Sequence, residues 1–176
     1  MNSAIMKATA LGAIAVIPTD TIYGIVTSAW NKDSVERIYE LKKRTPEKPC
    51  IILITSPEDM RDFGVTEENI VRVTEYAATT PTSFIVPITR TDLGYLDRGS
   101  RTLAFRIPNN SELQSLLKVT GPLIAPSANT EGNPPAHTID EAREYFGDTV
   151  SYYSDGGTIV GSPSALIDIA TGTKLR

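Results

Sequence analysis

Short apolar runs alternate along the chain with segments whose apolar residues recur at helical spacing. The runs are bounded by Gly, Pro and polar residues, which predicts buried strands. These strands are predicted at residues 13–17, 25–30, 50–55, 83–88, 102–107, 123–125 and 164–170. The helical spacing predicts helices at residues 5–11, 33–43, 57–63, 66–78, 111–119 and 139–146. Because the two element types alternate without a repeat or a linker, we expect one α/β domain over residues 1–176.

Polar residues and glycines mark the ends of several of these helices. Asp33 and Glu36 have the spacing of a capping box, and so do Thr138 and Glu141. Gly12 follows the first helix, where a glycine readily takes the left-handed conformation that ends a helix. These signals predict where the helices begin and end.

The composition narrows the class of protein. The chain has 176 residues, of which 40% are apolar, which is enough for the core of one domain. Its net charge of -4 does not suit a general nucleic-acid binder, because such proteins neutralise phosphates. The single cysteine, Cys50, cannot form an internal disulfide, and no Cys or His cluster has zinc-ligand spacing. With no signal sequence and no apolar window of membrane length, we expect a cytoplasmic protein without a membrane partner.

Hydroxyls and a carboxylate follow the first predicted strand, in the sequence PTDTIYG at residues 18–24. Thr19, Asp20, Thr21 and Tyr23 all lie within one turn after that strand. Ligands of open α/β sheets bind at strand ends, which makes this segment a candidate site. The alternative is a proline-initiated turn whose Asp and Thr side chains bond their own backbone.

Cations gather at the end of the second predicted helix, in LKKRTPEKPC at residues 41–50. Lys42, Lys43, Arg44 and Lys48 surround a proline-rich turn there. Such a group suits a polyphosphate, which Arg binds as a fork and Lys as a point charge. The alternative is that the cations only face the negative end of the helix dipole, where each contributes about 0.3–1 kcal/mol.

Later segments add further candidate ligand groups. Ser127 and Asn129, in APSAN, leave a buried strand before a Gly- and Pro-rich loop, so they are placed to bond a ribose, a phosphate or a carbonyl. Arg106 lies inside an apolar strand, where it must bind an anion or pair with a carboxylate. Ser164 puts a hydroxyl at the start of the last strand. His137, the only histidine, is either a general base or a surface residue.

Taken in order, these segments resemble the YrdC/Sua5 family of threonylcarbamoyl-AMP synthases. The shared pattern is PTDTIYG, L-K-x-R at a helix end, K-P-x before a strand, a strand ending in R-I-P, then P-S-A-N, D-G-G and P-S-x-x-x-D. It runs from about residue 13 to residue 176, nearly the whole chain. The resemblance implies a single YrdC-like α/β domain, with a twisted mixed sheet flanked by helices around a large open cavity.

The resemblance also implies a reaction. L-threonine, bicarbonate and ATP, with Mg²⁺, would give threonylcarbamoyl-AMP and pyrophosphate, the first step towards N6-threonylcarbamoyladenosine in tRNA. The product would pass to a tRNA threonylcarbamoyl transferase complex, and weak binding of tRNA itself stays open. The ligands of the metal also stay open.

Residue by residue, the resemblance implies two groups of site residues. Those implied to bind threonine are Thr21, Arg106 and Ser164. Those implied to bind the nucleotide are Lys42, Arg44, Lys48, Thr102, Ser127, Asn129 and Arg176. Lys42 and Arg44, at the ATP phosphates, are the implied catalytic residues.

This chain departs from the family pattern at three positions. Glu131 and Pro135 stand where relatives often have serines, and Ala165 stands where they have threonine, so three hydroxyls are lost and one negative charge is gained. Two alternatives therefore stay open: a degenerate paralogue that binds ATP without turnover, and a non-catalytic RNA-binding protein of the same fold. A further alternative is the carbamoyl-adenylate module of hydrogenase-maturation proteins, against which the missing zinc-ligand cysteines argue.

Overall fold

The computed structural model describes residues 3–76 and 78–176, and within these residues nine strands form one sheet. The strands are β1 (Ala15–Pro18), β2 (Tyr23–Ser28), β3 (Ile51–Leu53), β4 (Thr82–Pro87), β5 (Thr102–Arg106), β6 (Leu123–Ile124), β7 (Tyr152–Tyr153), β8 (Ala165–Asp168) and β9 (Thr173–Lys174). Their order across the sheet is β7-β1-β2-β6-β3-β5-β4-β8-β9.

The sheet is mixed, as expected from the resemblance. The pairs β1–β7, β3–β5 and β4–β8 are parallel, and the other neighbours are antiparallel. All seven predicted strands are present. The two others, β7 and β9, have only two residues each and pair with distant strands, so the local sequence pattern did not predict them. Tyr23 and Gly24 belong to β2, which corrects their placement in the loop before it.

Helices cover the sheet. The α-helices of the described residues are α1 (Ser3–Ala10), α2 (Lys32–Lys42), α3 (Glu67–Glu75), α4 (Gly94–Asp97), α5 (Ser111–Thr120) and α6 (Ile139–Phe146). Two further segments, Pro57–Phe63 and Gly147–Thr149, are 3-10 helices. Only α4 and the second 3-10 helix were not predicted, because neither is long enough to show a periodic pattern. The helix predicted to reach residue 78 ends at Glu75, and residue 77 lies outside the described residues.

The caps differ from prediction in one helix. The N-cap of α2 is Asn31, whose side chain accepts from the Ser34 backbone N–H at 3.0 Å, so the capping box predicted for Asp33 and Glu36 is wrong. Thr138 does cap α6, accepting from the Glu141 N–H at 3.2 Å. An asparagine two residues upstream satisfies the same helix N–H groups that an aspartate would, which is why the pattern misled.

Buried side chains form two clusters. The smaller one packs α1 and α5 against β1, β2 and β6, and includes Ile17, Val26 and Leu116. The larger one includes Phe63 and Phe105, whose rings meet edge to face at 5.1 Å. Together the clusters hold the sheet rigid, so residues at strand ends and on the remaining sheet face have fixed positions.

Candidate active site

A cavity of about 350 Å³ opens on the sheet face to which β5 contributes Thr102, Ala104 and Arg106. Alternate residues of a strand point to opposite faces, so Leu103 and Phe105 point into the core, where both are fully buried. The other walls come from the loop after β1, the turn after α2, the segment after β6 and the segment around the start of β8. The side chains of β5 therefore alternate between the hydrophobic core and the cavity.

The wall includes seven of the ten residues implied to bind substrates. They are Thr21, Arg44, Thr102, Arg106, Ser127, Ser164 and Arg176. The other three are not on the wall: Lys42 and Asn129 are buried behind it, and Lys48 is exposed and pairs with Glu131. Ser100, which was not predicted, also lines the wall, from the turn that precedes β5.

The charge of the wall is positive. Arg44, Arg106 and Arg176 line it, whereas no Asp, Glu or His of residues 3–76 and 78–176 does. The remaining polar groups include the hydroxyls of the Thr and Ser residues. These cations and hydroxyls make a site for an anionic ligand, with Asp20 pairing with Arg106 from outside the wall.

Arg106 lies deepest among the three arginines, with 5% of its surface exposed. Its Nη2 lies 2.8 Å from Asp20 Oδ1, a close charge pair without hydrogen-bond alignment, and its Nη1 donates to Thr21 Oγ1 at 3.0 Å. Its Nε has no hydrogen-bond partner among the described residues. Burial lowers the pKa of Arg106, while Asp20 opposes that shift. The pairing with a carboxylate is confirmed, and the binding of an anion by Arg106 stays a prediction.

Thr19 fixes the loop that carries Thr21. Its Oγ1 donates to Ile22 O at 2.6 Å and accepts from the backbone N–H groups of Thr21 and Ile22 at 3.2 and 3.3 Å. It also lies 3.1 Å from Thr21 Oγ1. The alternative predicted for this turn is confirmed for Thr19, which bonds the backbone, whereas Asp20 pairs with Arg106 instead. The turn orients a side chain on the cavity wall.

Tyr23 anchors the segment that crosses from β7 to β8. Its hydroxyl donates to Gly157 O at 2.7 Å and accepts from Gly156 N–H at 2.8 Å. Further along, Gly161 lies so close to Thr21 that a Cβ there would be 1.9 Å from Thr21 O, so only glycine fits. His137 holds the same segment through two contacts with Ile159, and it does not line the cavity. The segment thus forms a wall on the Thr21 side.

Ser164 and Arg176 meet at the end of that segment. Ser164 Oγ lies 2.8 Å from Ser83 Oγ on β4, and Arg176 Nε donates to Ser164 O at 3.0 Å. The backbone of Arg176 accepts from Leu166 N–H at 3.2 Å, which continues the pairing of β8 with β9. The last residues of the chain are therefore tied to the site through the sheet.

The turn after α2 presents Arg44 to the cavity. Arg44 Nε donates to Lys48 O at 3.0 Å and its Nη2 donates to Pro49 O at 2.9 Å. Lys43 ends the helix in the left-handed conformation, with φ at 50° and its side chain exposed. The guanidinium is thus held by its own turn and leaves its other N–H groups for a ligand.

Lys42 lies behind the wall and is 1% exposed. Burial and the nearby Arg44 guanidinium lower its pKa to about 8. Its Nζ contacts oxygens of Ser127 and Asn129, so it joins the end of α2 to the segment after β6.

Glu131, the acidic departure from the family pattern, faces the turn after α2. Its carboxylate accepts from Thr45 N–H and Thr45 Oγ1, and it lies 2.5 Å from Lys48 Nζ. These contacts lower the pKa of Glu131 to about 2, the hydrogen bond from Lys48 being the largest cause. The added negative charge is therefore neutralised within the turn and does not enter the cavity.

This geometry predicts a stability effect for Glu131→Gln. Because the folded pKa of about 2 lies below the ordinary 4.5, ionised Glu131 stabilises the folded state above pH 4.5, and that stabilisation is lost between about pH 4.5 and 2. At neutral pH we expect the variant to lower Tm by no more than about 4 °C, since the pair is partly exposed. Thermal unfolding from pH 7 down to pH 2 measures the difference, which should vanish at the acid end. Glu47→Gln, in the same exposed turn, is the matched control. An equal effect on Tm there would contradict a specific role for the contacts of Glu131 with Thr45 and Lys48.

The donor set does not suit a resident magnesium ion. Mg²⁺ is usually held by carboxylates together with substrate phosphates, and the wall has hydroxyls instead of carboxylates. Within residues 3–76 and 78–176 no group of three or more His, Cys, Asp and Glu side chains has the arrangement of a metal site. In that same part of the chain, no helix has both the length and the apolar character needed to cross a membrane.

This chain is similar to many known proteins, among them a curated synthase and two proteins of solved structure. Threonylcarbamoyl-AMP synthase of Marinobacter nauticus is 31% identical over 170 residues, covering 94% of this chain and 89% of that protein. The structure of Sua5 of P. abyssi with L-threonine has a TM-score of 0.83 at 27% identity, covering 94% of this chain. This chain spans 49% of that Sua5 chain, about half its length. YciO of E. coli, at 19% identity, has the same fold with a TM-score of 0.79.

These matches confirm the expected fold class, a mixed and twisted α/β sheet flanked by helices. The family model Sua5_yciO_yrdC, described as "Telomere recombination", matches residues 7–176. That match covers every element that lines the cavity. The chain belongs to the Sua5/YciO/YrdC family.

Proposed function

We propose that this chain is a threonylcarbamoyl-AMP synthase, which forms threonylcarbamoyl-AMP and pyrophosphate from L-threonine, bicarbonate and ATP. The observation that carries the proposal is the wall on which Arg44, Arg106 and Arg176 face one cavity together with hydroxyls and without a carboxylate. The family match and the name of the Marinobacter nauticus relative support it.

The threonine end of the cavity is the part around Arg106. Arg106 lines the wall and offers its guanidinium to the threonine carboxylate, and Thr21 and Ser164 add hydroxyls on the same wall. Asp20, 2.8 Å from Arg106 Nη2, holds the guanidinium in place. A charged donor that is fixed before the ligand arrives loses little conformational entropy on binding.

The nucleotide end is the part around Arg44. Ser127 and Thr102 also line the wall, and Arg176, which donates to Ser164 O, adds a third positive charge from the side of Arg106. A guanidinium that is locked by its own turn is suited to a phosphate group. Mg²⁺ would come with ATP, bound to phosphate oxygens and water, because the wall lacks carboxylate ligands for it.

The reaction needs positioning more than acid–base chemistry. The threonine amino group bonds to CO₂ derived from bicarbonate and releases a proton to solvent. An oxygen of the resulting carbamate then bonds to the α-phosphorus, and the bond from that phosphorus to the bridging oxygen breaks to release pyrophosphate. Since the carbamate and ATP are both anions, fixed cations are what brings them together and in line. The absence of Asp, Glu and His from the wall formed by the described residues agrees with this chemistry.

The departures from the family pattern do not remove these features. Glu131 is neutralised by Lys48 outside the cavity, and Ala165 occupies β8, where it pairs with Thr82. Only Pro135 lies on the wall itself. This placement favours an active enzyme over a degenerate paralogue.

The wider setting of the reaction is part of the same proposal. The product would be used by a tRNA threonylcarbamoyl transferase complex, which implies a cytoplasmic enzyme, with at most weak binding of tRNA. The net charge of -4 supports a small-molecule substrate over a nucleic acid.

Pyrophosphate release tests the proposed function. We expect release by the purified protein with ATP, Mg²⁺, L-threonine and bicarbonate, and none when threonine or bicarbonate is omitted. Release without threonine would indicate an ATPase. A folded protein that binds ATP but releases nothing would be the degenerate paralogue, and one that binds RNA in a salt-dependent way without binding ATP would be the RNA-binding alternative.

A further inference from the structure

The resemblance assigns Lys42 to the ATP phosphates, but the structure gives its ammonium group other partners. Lys42 Nζ lies 2.5 Å from Ser127 O, 2.5 Å from Asn129 O and 3.2 Å from Asn129 Oδ1. A lysine ammonium has three N–H donors and no acceptor. Three oxygens therefore use its full hydrogen-bonding capacity, and a phosphate oxygen would have to displace one of them.

The position of Lys42 agrees with this count. The side chain is 1% exposed and is not on the cavity wall, whereas Arg44, two residues later, is on the wall. The backbone of Lys42 binds the same segment, since its carbonyl accepts from Glu131 N–H at 2.7 Å. The end of α2 and residues 127–131 are thus joined by both main chain and side chain.

The segment that Lys42 holds carries a hydroxyl into the cavity. Asn129 Oδ1, which contacts Lys42, also accepts from Ser127 Oγ at 2.6 Å. Asn129 Nδ2 donates to Asn133 O at 2.6 Å and to Thr130 O at 3.1 Å, which fixes the orientation of the amide. Because Ser127 Oγ donates its hydrogen to Asn129 Oδ1, the lone pairs of Ser127 Oγ stay available to the cavity. Lys42, which contacts the same Asn129 oxygen, holds Asn129 in the position that this bond needs.

We infer that Lys42 is a positioning residue, which fixes Ser127 and the backbone of residues 127–129 as the wall of the nucleotide site without itself contacting the phosphates. Arg44 then remains as the phosphate-binding group of this turn. The inference deepens the proposed function and rests on it for the identity of the ligand. The stability of the wall in the ligand-free protein can be measured whatever the ligand is.

Hydrogen exchange of the ligand-free protein tests the inference. In Lys42→Met we expect roughly tenfold faster exchange at the amides of Ala128, Glu131 and Ala136, whose hydrogen bonds hold the segment. Lys43→Met, which removes an exposed charge from the same helix end, is the matched control and should leave these amides unchanged. Wild-type exchange at all three amides in Lys42→Met would overturn the inference. If Lys42→Met does not fold, Lys42→Gln serves instead, because its amide keeps two N–H donors without the charge.

Kinetics add a readout that loss of stability alone does not give. We expect Lys42→Met to raise the KM for ATP about tenfold through the displaced wall, with the KM for threonine changed less than about twofold. If exchange is faster in Lys42→Met but the wild type releases no pyrophosphate, the positioning role of Lys42 is retained and the proposed function is wrong. A raised KM for ATP with unchanged exchange would instead identify a direct phosphate contact.

Discussion

Arg106→Met is expected to raise the KM for threonine at least about 30-fold, since it removes a buried cation from a charged ligand. Arg106 lines the cavity and is only 5% exposed, so little water competes with the ligand carboxylate. Steady-state pyrophosphate release with threonine as the varied substrate measures the effect. The KM for ATP, whose proposed site is around Arg44, should change much less.

The same substitution also leaves Asp20 buried and unpaired, which will lower stability. Stability and binding are separated by the double variant Asp20→Asn/Arg106→Met, which removes both charges. We expect the double variant to recover much of the lost Tm while the KM for threonine stays high. Recovery of the KM in the double variant would contradict a direct contact between Arg106 and threonine.

Asp20→Asn alone measures the positioning of Arg106. The amide keeps the shape of Asp20 but removes the charge that lies 2.8 Å from Arg106 Nη2. We expect an effect on the KM for threonine in the same direction as that of Arg106→Met and smaller, because the ligand cation is still present.

The strands and the β5 face of the site could be predicted from the sequence because both depend on local pattern. The alternation in residues 102–106 places Leu103 and Phe105 in the core and leaves Thr102 and Arg106 on the opposite face. Ser100 could not have been predicted in the same way, because Arg101, with φ at 59°, breaks the extended chain before Thr102. The sequence could not predict that Arg106 pairs with Asp20, because the two residues are 86 positions apart and meet only through the order of strands in the sheet.

The cations after α2 show where local pattern is insufficient. Lys42, Lys43 and Arg44 are adjacent, and adjacency suggested one cationic group. Successive helical residues point about 100° apart, and Lys43 then leaves the helix with φ at 50°. As a result Lys42 is buried, Lys43 is exposed and only Arg44 reaches the cavity. The direction of each side chain is fixed by the helix end, which a list of neighbouring charges does not describe.

Arg44→Met and Lys48→Met form a matched pair that tests this difference. Each removes one positive charge from the same turn, but Arg44 lines the cavity while Lys48 is exposed and paired with Glu131. We expect Arg44→Met to raise the KM for ATP roughly 10- to 100-fold, the cost of a lost hydrogen bond to a charged group. Lys48→Met should change it less than about threefold, because an exposed charge is screened by salt.

Two further variants separate a ligand contact from damage to the turn. Arg44 also donates to Lys48 O and Pro49 O, so its loss loosens the turn as well. Arg44→Lys keeps the charge but cannot make both bonds to the turn while also contacting a phosphate, so its KM for ATP should lie between the wild type and Arg44→Met. Lys43→Met removes an exposed charge beside it and should behave like Lys48→Met. Equal effects of all the single charge losses would mean that the turn acts only through its overall field, and Arg44 would then have no special part in binding ATP.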